Sequence, residues 1–376
     1  MIYFDDAATS RYKPYCVKRA LSHSLKRAAN PGRGSHRDAI DAAVTVEETR
    51  ALLSKHVNAK SANVIFTKNC TEALNLAILG TAKLGGHVVT TVWEHNSVLR
   101  PLSMLKKEGL ITLTVIEGKN GKISANDLLL ALNDNTYLVA VTAMSNVTGY
   151  APPLDVIGEI CRDKGVKLLV DGAQALGHRK IDCGRIGIDY LAGAGHKGLH
   201  GIMGTGFLIY GKRSFVNPLT YGGTGTESDN LLQPLVPPES LESGTLNLPG
   251  IAALKEGLLW TERWFDRINE RTAELSFYLH EELSRIGIKT YSVAGSPILT
   301  FAIEGKDSAA VSDLLSARYD VATRGGLHCA PLAHKTLGTI KSGLVRASIG
   351  CHLKKRDAKA LVRAVKEIAA ATNLDK

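Results

Sequence analysis

Tyr190-Leu-Ala-Gly-Ala-Gly-His-Lys-Gly-Leu-His-Gly201 sets a single lysine, Lys197, inside a turn of small residues. The apolar run 188–191 precedes the turn and a second run, 206–210, follows it, so it reads as the connection between two buried strands. Glycine lets backbone approach a ligand closely, and an amine held in such a place is partly desolvated. Desolvation lowers an amine's pKa and makes it a usable nucleophile. Gly193, Gly195, Gly198 and Gly201 are accordingly expected to leave room for a bound group beside the backbone. The plain alternative is an exposed loop lysine.

Working outward, β-branched apolar runs recur near 64–67, 87–92, 111–116, 137–142 and 167–170. Helical stretches near 72–83, 95–108, 124–132 and 153–164 separate several of them, and helices over 15–29 and 37–56 precede them. Strand, helix and strand in succession predict an α/β fold with a mostly parallel seven-stranded sheet covered by helices on both faces. Ligands of such sheets bind beyond the carboxyl ends of the strands. The unusual polar residues fall there. Thr67-Lys-Asn-Cys-Thr-Glu-Ala73 opens a helix after a strand, a natural anion site that includes Thr71, although a threonine there is often only a cap. His95 follows the run at 87–92, Asn146 follows 137–142, and Asp171 closes the wholly apolar Leu168-Leu-Val170 with Gln174 just beyond. A buried aspartate is costly unless something cationic faces it.

After Tyr210 the alternation breaks. Tyr221-Gly-Gly-Thr-Gly-Thr-Glu227 is glycine-rich and hydroxyl-bearing, and 227–247 looks irregular. A long helix over about 250–287, with room for one break, leads into a smaller α/β unit. Its strands are expected near 288–292, 298–303 and 343–349, and its helices near 307–318 and 355–372. Thr323-Arg-Gly-Gly-Leu-His-Cys-Ala-Pro331 interrupts this unit and carries Arg324, His328 and Cys329; Arg346 lies in a strand-like run. The chain therefore divides into an N-terminal arm, 1–14, a large domain, 15–249, and a small C-terminal domain, 250–376. A turn-rich loop with Arg33 and His36 lies near the start of the large one.

Composition narrows the class. At 376 residues with 44% hydrophobic and 22% charged residues, the chain resembles an ordinary globular enzyme, and no apolar run approaches the ~20 residues that span a bilayer. Its first residues lack the basic-then-apolar order of a secretion signal, so a cytoplasmic location is expected. A net charge of +10 and a pI near 9.2 would attract acidic partners, but the basic residues are scattered and no nucleic-acid-binding motif accompanies them. Six cysteines without C-x-x-C spacing argue against structural zinc and against a disulfide framework, and no metal is expected.

The parts fit one cofactor. Pyridoxal 5′-phosphate needs a lysine for a Schiff base, an acid facing its pyridine nitrogen, and phosphate donors in a dry pocket. Lys197 and Asp171 supply the first two. The order of motifs then resembles the class V aminotransferases, of the fold type I pyridoxal phosphate enzymes, and within them the cysteine desulfurase and selenocysteine lyase group. The resembling stretches run from Phe4-Asp-Asp-Ala-Ala-Thr-Ser10 through Thr71-Glu-Ala73, Glu94-His95, Ser145-Asn-Val147, Val170-Asp-Gly-Ala-Gln174, Gly195-His-Lys197 and Glu242-Ser-Gly-Thr245 to Arg324-x-Gly-x-His-Cys329 and Val345-Arg-Ala-Ser348. Each is weak alone; nine in order cover the chain.

What the resemblance implies can be set residue by residue. Lys197 would bind the cofactor and later act as base, Asp171 would face the pyridinium, and His95 would stack on the ring. Asn146 and Gln174 would contact its phenolic side. Thr71, His196 and the backbone at Cys70 would hold the phosphate, joined by Thr224 from the partner subunit of a homodimer. Arg346 would clamp the substrate carboxylate, with Arg324 and Asn146 close by. Cys329 would be the nucleophile that takes sulfur from L-cysteine as a persulfide, releasing alanine, with His328, Arg324 or the cofactor favouring its thiolate. The short cysteine loop is nearest the second group of desulfurases, which pass sulfur to a dedicated acceptor; the positive charge would suit an acidic one. Selenocysteine as substrate, another class V reaction (transamination, epimerisation, a different C–S lysis), and a non-catalytic basic scaffold are the alternatives. Two departures stand out. Ala194 replaces a hydroxyl residue that commonly serves the phosphate, leaving Thr226 or a backbone group to substitute. Cys351-His-Leu-Lys354 replaces an aromatic and an Asn-Thr helix cap.

Overall fold

The computed structural model describes residues 1–31, 34–59, 62–211 and 214–371; Arg33 lies outside them. In chain order its first elements are β1 (Ile2–Tyr3), α1 (Tyr15–Lys26), α2 (Arg37–His56), β2 (Ala62–Thr67), α3 (Cys70–Gly80), β3 (Gly86–Thr91), α4 (Asn96–Lys107), β4 (Ile111–Ile116), α5 (Ala125–Ala131), β5 (Thr136–Thr142), α6 (Leu154–Asp163) and β6 (Lys167–Asp171). There follow α7 (Cys183–Ile186), β7 (Tyr190–Ala194), β8 (Gly206–Gly211), α8 (Leu248–Arg285), β9 (Lys289–Thr290), β10 (Ile298–Ala302), α9 (Ser308–Tyr319), β11 (Val321–Ala322), α10 (Pro331–Thr336), β12 (Val345–Ser348) and α11 (Lys355–Ala370).

Seven strands form the main sheet in the order β2-β8-β7-β6-β5-β3-β4. Only β8 runs against its neighbours, pairing antiparallel with both β2 and β7. The remaining pairs are parallel, and the helices between them are the crossovers that parallel pairing demands. Successive residues of one strand feed opposite cores. Val139, Val141, Leu168, Val170, Leu191, Phe207 and Ile209 face one helical layer. Leu138, Ala140, Leu169, Ala192 and Leu208 face the other. Because both faces are covered, these strands read as unbroken apolar runs rather than alternating ones. Burying each such leucine or isoleucine contributes roughly 1.5–3 kcal/mol.

The helices start where local chemistry allows. Asn69 caps α3 by accepting the Glu72 N–H, His95 caps α4 by accepting the Ser97 N–H, and Ser124 with Asp127 forms a capping box on α5. At α11 the Lys354 N–H donates to Asp357 Oδ2 at 2.8 Å, so an acid inside the first turn does the capping work of the absent Asn-Thr pair.

The long helix α8 is unbroken over its 38 residues. Leu248, Ile251, Leu254 and Leu258 belong to the core of the main sheet, whereas Leu275, Leu279 and Leu283 belong to the C-terminal core. There β10 lies between β9 and β12, both antiparallel to it. The expected strand at 288–292 shrinks to Lys289–Thr290, and the short elements α7, α10 and β11 join the expected set. The N-terminal arm crosses between the two cores. Its β1 pairs with β11, Phe4 is fully buried among C-terminal residues, and the Ser10 N–H reaches the carbonyl of His196 at 3.0 Å. No helix among the described residues is long and apolar enough to cross a membrane.

Candidate active site

Strands β5, β6 and β7 end side by side: Thr142 lies opposite Asp171, and Asp171 opposite Ala192. Beyond that edge a pocket is lined by Cys70, Thr71, His95, Asn146, Asp171, Gln174, His196 and Lys197, with Ser97 and Ala194 in its wall. Residues spread over more than 120 positions of sequence thus meet at one place. Among the described residues no cluster of His, Cys, Asp and Glu could hold a metal ion.

Lys197 is half-buried, with its remaining exposure facing the pocket it lines. Burial lowers its pKa, the charge of Asp171 opposes that shift, and the Arg346 and Arg324 cations reinforce it. The residue forms no ion pair among the described residues, so its amine is held near a carboxylate without being locked to it. The N-terminal arm fixes its backbone: Ser10 N–H, the Thr9 and Ser10 hydroxyls and Lys13 Nζ all donate to the carbonyl of His196. Asp171 is buried and accepts from the Ala173 N–H at 2.9 Å and the Cys70 thiol at 3.6 Å. Burial and that carboxylate push the Cys70 thiol well up. Cys70 therefore meets the site through its side chain on Asp171, and not through its backbone alone as the sequence reading had it.

The glycine reading needs correcting. A Cβ at Gly193 would sit 2.2 Å from the Phe207 ring, and one at Gly198 would sit 2.2 Å from the Leu176 carbonyl oxygen. Neither glycine has a positive φ. These glycines make room for neighbouring strands and turns of the protein, not for a ligand.

At the α3 edge of the pocket, the N-terminus of α3 presents Thr71, whose Oγ1 lies 2.8 Å from Ser97 Oγ. Ser97 Oγ is also 2.8 Å from His95 Nδ1. Ser97 escaped the sequence reading because a serine in the first turn of a helix is ordinary; the hydroxyl pattern of Thr71 and Ser97 is visible only once α3 and α4 lie together. His196 Nδ1 is buried without a partner among the described residues, and burial, with the charges of Lys197 and Lys13, pushes its pKa down to about 4. Gln174 spends its Nε2 on the Ala7 carbonyl at 3.0 Å, keeping its oxygen for the pocket.

Cys329 sits at the tip of a tight turn closed by Ala330 N–H to the Leu327 carbonyl at 2.9 Å. His328 and Cys329 both have positive φ, 49° and 58°, a conformation rare in non-glycine residues and costing on the order of 1–3 kcal/mol each. Two bonds hold the strained turn against the main sheet: Asn96 N–H donates to the Cys329 carbonyl and Asn146 Nδ2 to that of His328, each at 2.7 Å. The Cys329 side chain is exposed while His328 is buried. His328 Nε2 donates to the Leu344 carbonyl at 3.0 Å, and burial together with the Arg346 charge pushes its pKa down to about 2. His328 is thus a buried, inward-turned ring beside an exposed cysteine.

Arg346 is the buried cation at this end of the pocket. Its side chain is 2% exposed, donates from Nη2 to Asp5 Oδ1 at 3.1 Å and from Nη1 to the Asn146 carbonyl at 3.3 Å, and leaves Nε buried without a partner among the described residues. Burial lowers the Arg346 pKa, and the nearby Asp5 and Cys329 oppose that shift. Arg324 pairs with Arg346 through two backbone hydrogen bonds, so the two guanidinium side chains spring from facing positions, with Arg324 exposed. Thr224 is not brought into this pocket within one chain. It is half-buried, bonds Thr226, and lines a separate hollow with Arg50 and Glu242. Thr226 goes with it, so within the chain neither hydroxyl stands in for the one missing at Ala194. Cys351 is also remote, 4.0 Å from His200 Nε2, and burial pushes its thiol up to about 12.

Comparison with known proteins agrees with this geometry. The class-V aminotransferase family matches residues 2–361. A probable cysteine desulfurase of Methanothermobacter thermautotrophicus is 33% identical, with 97% of this chain and 94% of the relative covered. The apo structure of a cysteine desulfurase from Thermococcus onnurineus NA1 superposes with a TM-score of 0.90 at 31% identity, covering 98% of this chain and 94% of the other. The cysteine desulfurase CsdA of Escherichia coli, in an S-sulfonic acid form, gives 0.87 at 26% identity over 99% and 95%. A fold, a lysine–aspartate pocket and a family match along almost the whole chain agree: this chain belongs to the class-V aminotransferase family.

Proposed function

We propose that this protein is a pyridoxal 5′-phosphate-dependent cysteine desulfurase that moves the sulfur of L-cysteine onto Cys329 and releases L-alanine. The observation that carries the reading is one pocket holding a desolvated lysine beside a buried aspartate, with a cysteine-tipped turn bonded to the same wall. The names of the similar proteins support it.

The donor set suits the cofactor. His196 Nδ1 is a buried atom with no partner among the described residues, beside Lys197, Thr71 opens α3 with its N–H groups, and both fit a phosphate. Asp171 is a buried acid that needs a cationic partner, which a protonated pyridine nitrogen provides. When bound, pyridoxal phosphate supplies an electron sink for bonds broken at the substrate α-carbon. Lys197, with its lowered pKa, would hold the cofactor and would take the α-proton of the substrate. Arg346 and Arg324 receive the substrate carboxylate; of the five guanidinium N–H groups of Arg346, Asp5 and Asn146 use two and three remain. The Cys329 thiolate sulfur would bond to the substrate sulfur while the Cβ–S bond breaks and leaves its electron pair on the substrate carbon; two protons, the one given up by the Cys329 thiol and the α-proton held by Lys197, would then complete alanine. Exposure at the tip of its turn lets the persulfide be passed on.

In the same reading the protein is a cytoplasmic homodimer in which Thr224 of each subunit completes the partner's phosphate site. The exposed Tyr221, Leu231, Leu232 and Leu235 around that segment are what a second copy would cover. The arm 1–14, the part 15–249 and the part 250–376 meet at the site. The net charge of +10 suits an acidic acceptor protein, with iron–sulfur cluster assembly as one use of the sulfur. Titrating pyridoxal phosphate into the purified chain, then adding L-cysteine, tests the proposal. Bound-cofactor absorbance and alanine formation are expected, the first lost in Lys197→Ala and the second in Cys329→Ala. Absence of the absorbance in the unaltered chain, or undiminished alanine formation without Cys329, would overturn it.

A further inference from the structure

The first turn of α4 ties together three parts of the pocket that the proposed reaction leaves unconnected. Asn96 N–H holds the carbonyl of Cys329, His95 caps the helix, and Ser97 reaches across to Thr71 on α3. Ser97 is 8% exposed and touches both neighbours at 2.8 Å. We infer that Ser97 is a positioning residue, which fixes His95 as the tautomer protonated on Nε2 and makes that ring respond to an anion at the Thr71 hydroxyl.

The chain of hydrogen bonds has a direction. Ser97 donates its backbone N–H to His95 Nδ1 at 3.1 Å, and a ring nitrogen that accepts carries no proton of its own. Burial keeps the ring neutral, with a pKa near 4, so its one proton lies on Nε2, toward the cavity. Asp171 opposes that shift, while Lys197, Arg346 and Arg324 add to it; these are the charged groups that act on the ring. With Nδ1 an acceptor, the Ser97 hydroxyl donates to it as well. The Thr71 hydroxyl then donates to Ser97 Oγ, and the relay runs from Thr71 through Ser97 to His95.

An oxyanion offers acceptors only. One placed at the N-terminus of α3 draws the Thr71 hydrogen to itself, and Ser97 loses the bond donated to it. A hydroxyl that no longer receives a hydrogen bond is a weaker donor, so the neutral form of His95 is held less firmly and its proton affinity rises. Ala194 brings no hydroxyl to the wall, whereas Thr71, at the start of α3, brings one that is wired to His95 through Ser97. If the anion is the cofactor's phosphate, the inference rests on the proposed function; the relay itself does not.

Nitrogen-15 NMR of the histidine rings in the full chain reads the relay, with inorganic phosphate as probe in the cofactor-free protein and pyridoxal phosphate in the loaded one. Unaltered protein is expected to show His95 protonated on Nε2, with ring signals displaced by phosphate. Ser97→Ala keeps the backbone cap yet removes the hydroxyl. It should raise the His95 proton affinity by about three- to tenfold and cut the phosphate-induced displacement by more than half. Ser97→Thr should restore both, and Thr71→Val, breaking the relay at its other end, should abolish the displacement. A His95 that is indifferent to phosphate, or that responds equally in Ser97→Ala and unaltered protein, overturns the inference. Neither result depends on desulfurase activity, so a failure of cofactor binding would be recognised separately.

Discussion

Asp5→Ala probes the charge balance that holds the carboxylate end of the pocket. Arg346 is almost wholly buried and Asp5 keeps a fifth of its side-chain exposure at 3.1 Å. At that separation and an effective dielectric near 20, the gross attraction is about 5 kcal/mol. Both groups have lost water, which offsets much of it. Removing one partner of a buried pair nevertheless leaves the other desolvated, at about 3–5 kcal/mol. Residual exposure of Asp5, and the bond from Arg346 to the Asn146 carbonyl, point to the low end, about 3 kcal/mol. In a chain this long that lowers Tm by roughly 6 °C or less. A ligand carboxylate puts the missing negative charge back, so L-alanine should stabilise Asp5→Ala by about 1–2 kcal/mol more than it stabilises the unaltered protein. Calorimetry of the cofactor-loaded protein with and without saturating L-alanine measures both effects, and Asp5→Asn, which keeps the shape of the arm, isolates the charge. Unchanged Tm in Asp5→Ala, or a smaller response to L-alanine than normal, would refute the reasoning.

Other consequences follow from buried groups away from the reacting atoms. Glu94 is fully buried, and burial, aided by the Asp171 charge, pushes its carboxyl up to about 8 against the hydrogen bonds from Thr91 and the Thr142 backbone. A folded pKa above the unfolded one means stability that is complete below about pH 4.5 and lost as pH rises through 8, so Glu94→Gln should gain on the unaltered protein across that window by up to a few kcal/mol. Urea midpoints at pH 5 and pH 8 decide it; parallel changes in the two proteins would show that Glu94 does not titrate there. Gly193→Ala should destabilise by about 1–3 kcal/mol, because the fully buried Phe207 ring has nowhere to retreat. A thermal midpoint equal to that of the unaltered protein would contradict the packing account of this turn.

Much of the fold was legible because the physics behind it is local. Strands covered on both faces must be apolar throughout, and the helix at 37–56 announces its buried face by its periodicity. Lys197 and Asp171 stood out for the opposite reason: a charge placed where burial penalises it needs an explanation. What stayed hidden depends on neighbours distant in sequence. The lack of a Cβ at Gly193 is readable, but the Phe207 ring that fills the space is not. His328 stands next to Cys329 in sequence, yet a positive φ at both residues turns one inward and the other out. Ser97 looks like any first-turn serine until α3 brings Thr71 to it, and the tie between Asp5 and Arg346 spans 341 positions.

The central claim is that Cys329 receives the sulfur. Cys70, Cys161 and Cys183 are buried, and among the described cysteines Cys329 alone is classed as exposed. Peptide mass spectrometry of the pyridoxal phosphate-loaded protein, after a brief incubation with L-cysteine and alkylation, should find one added sulfur atom on the peptide bearing Cys329 and none on that peptide in Lys197→Ala. Alanine produced in step with turnover while Cys329 never carries the extra sulfur, or the sulfur appearing on another cysteine in its place, would contradict the account.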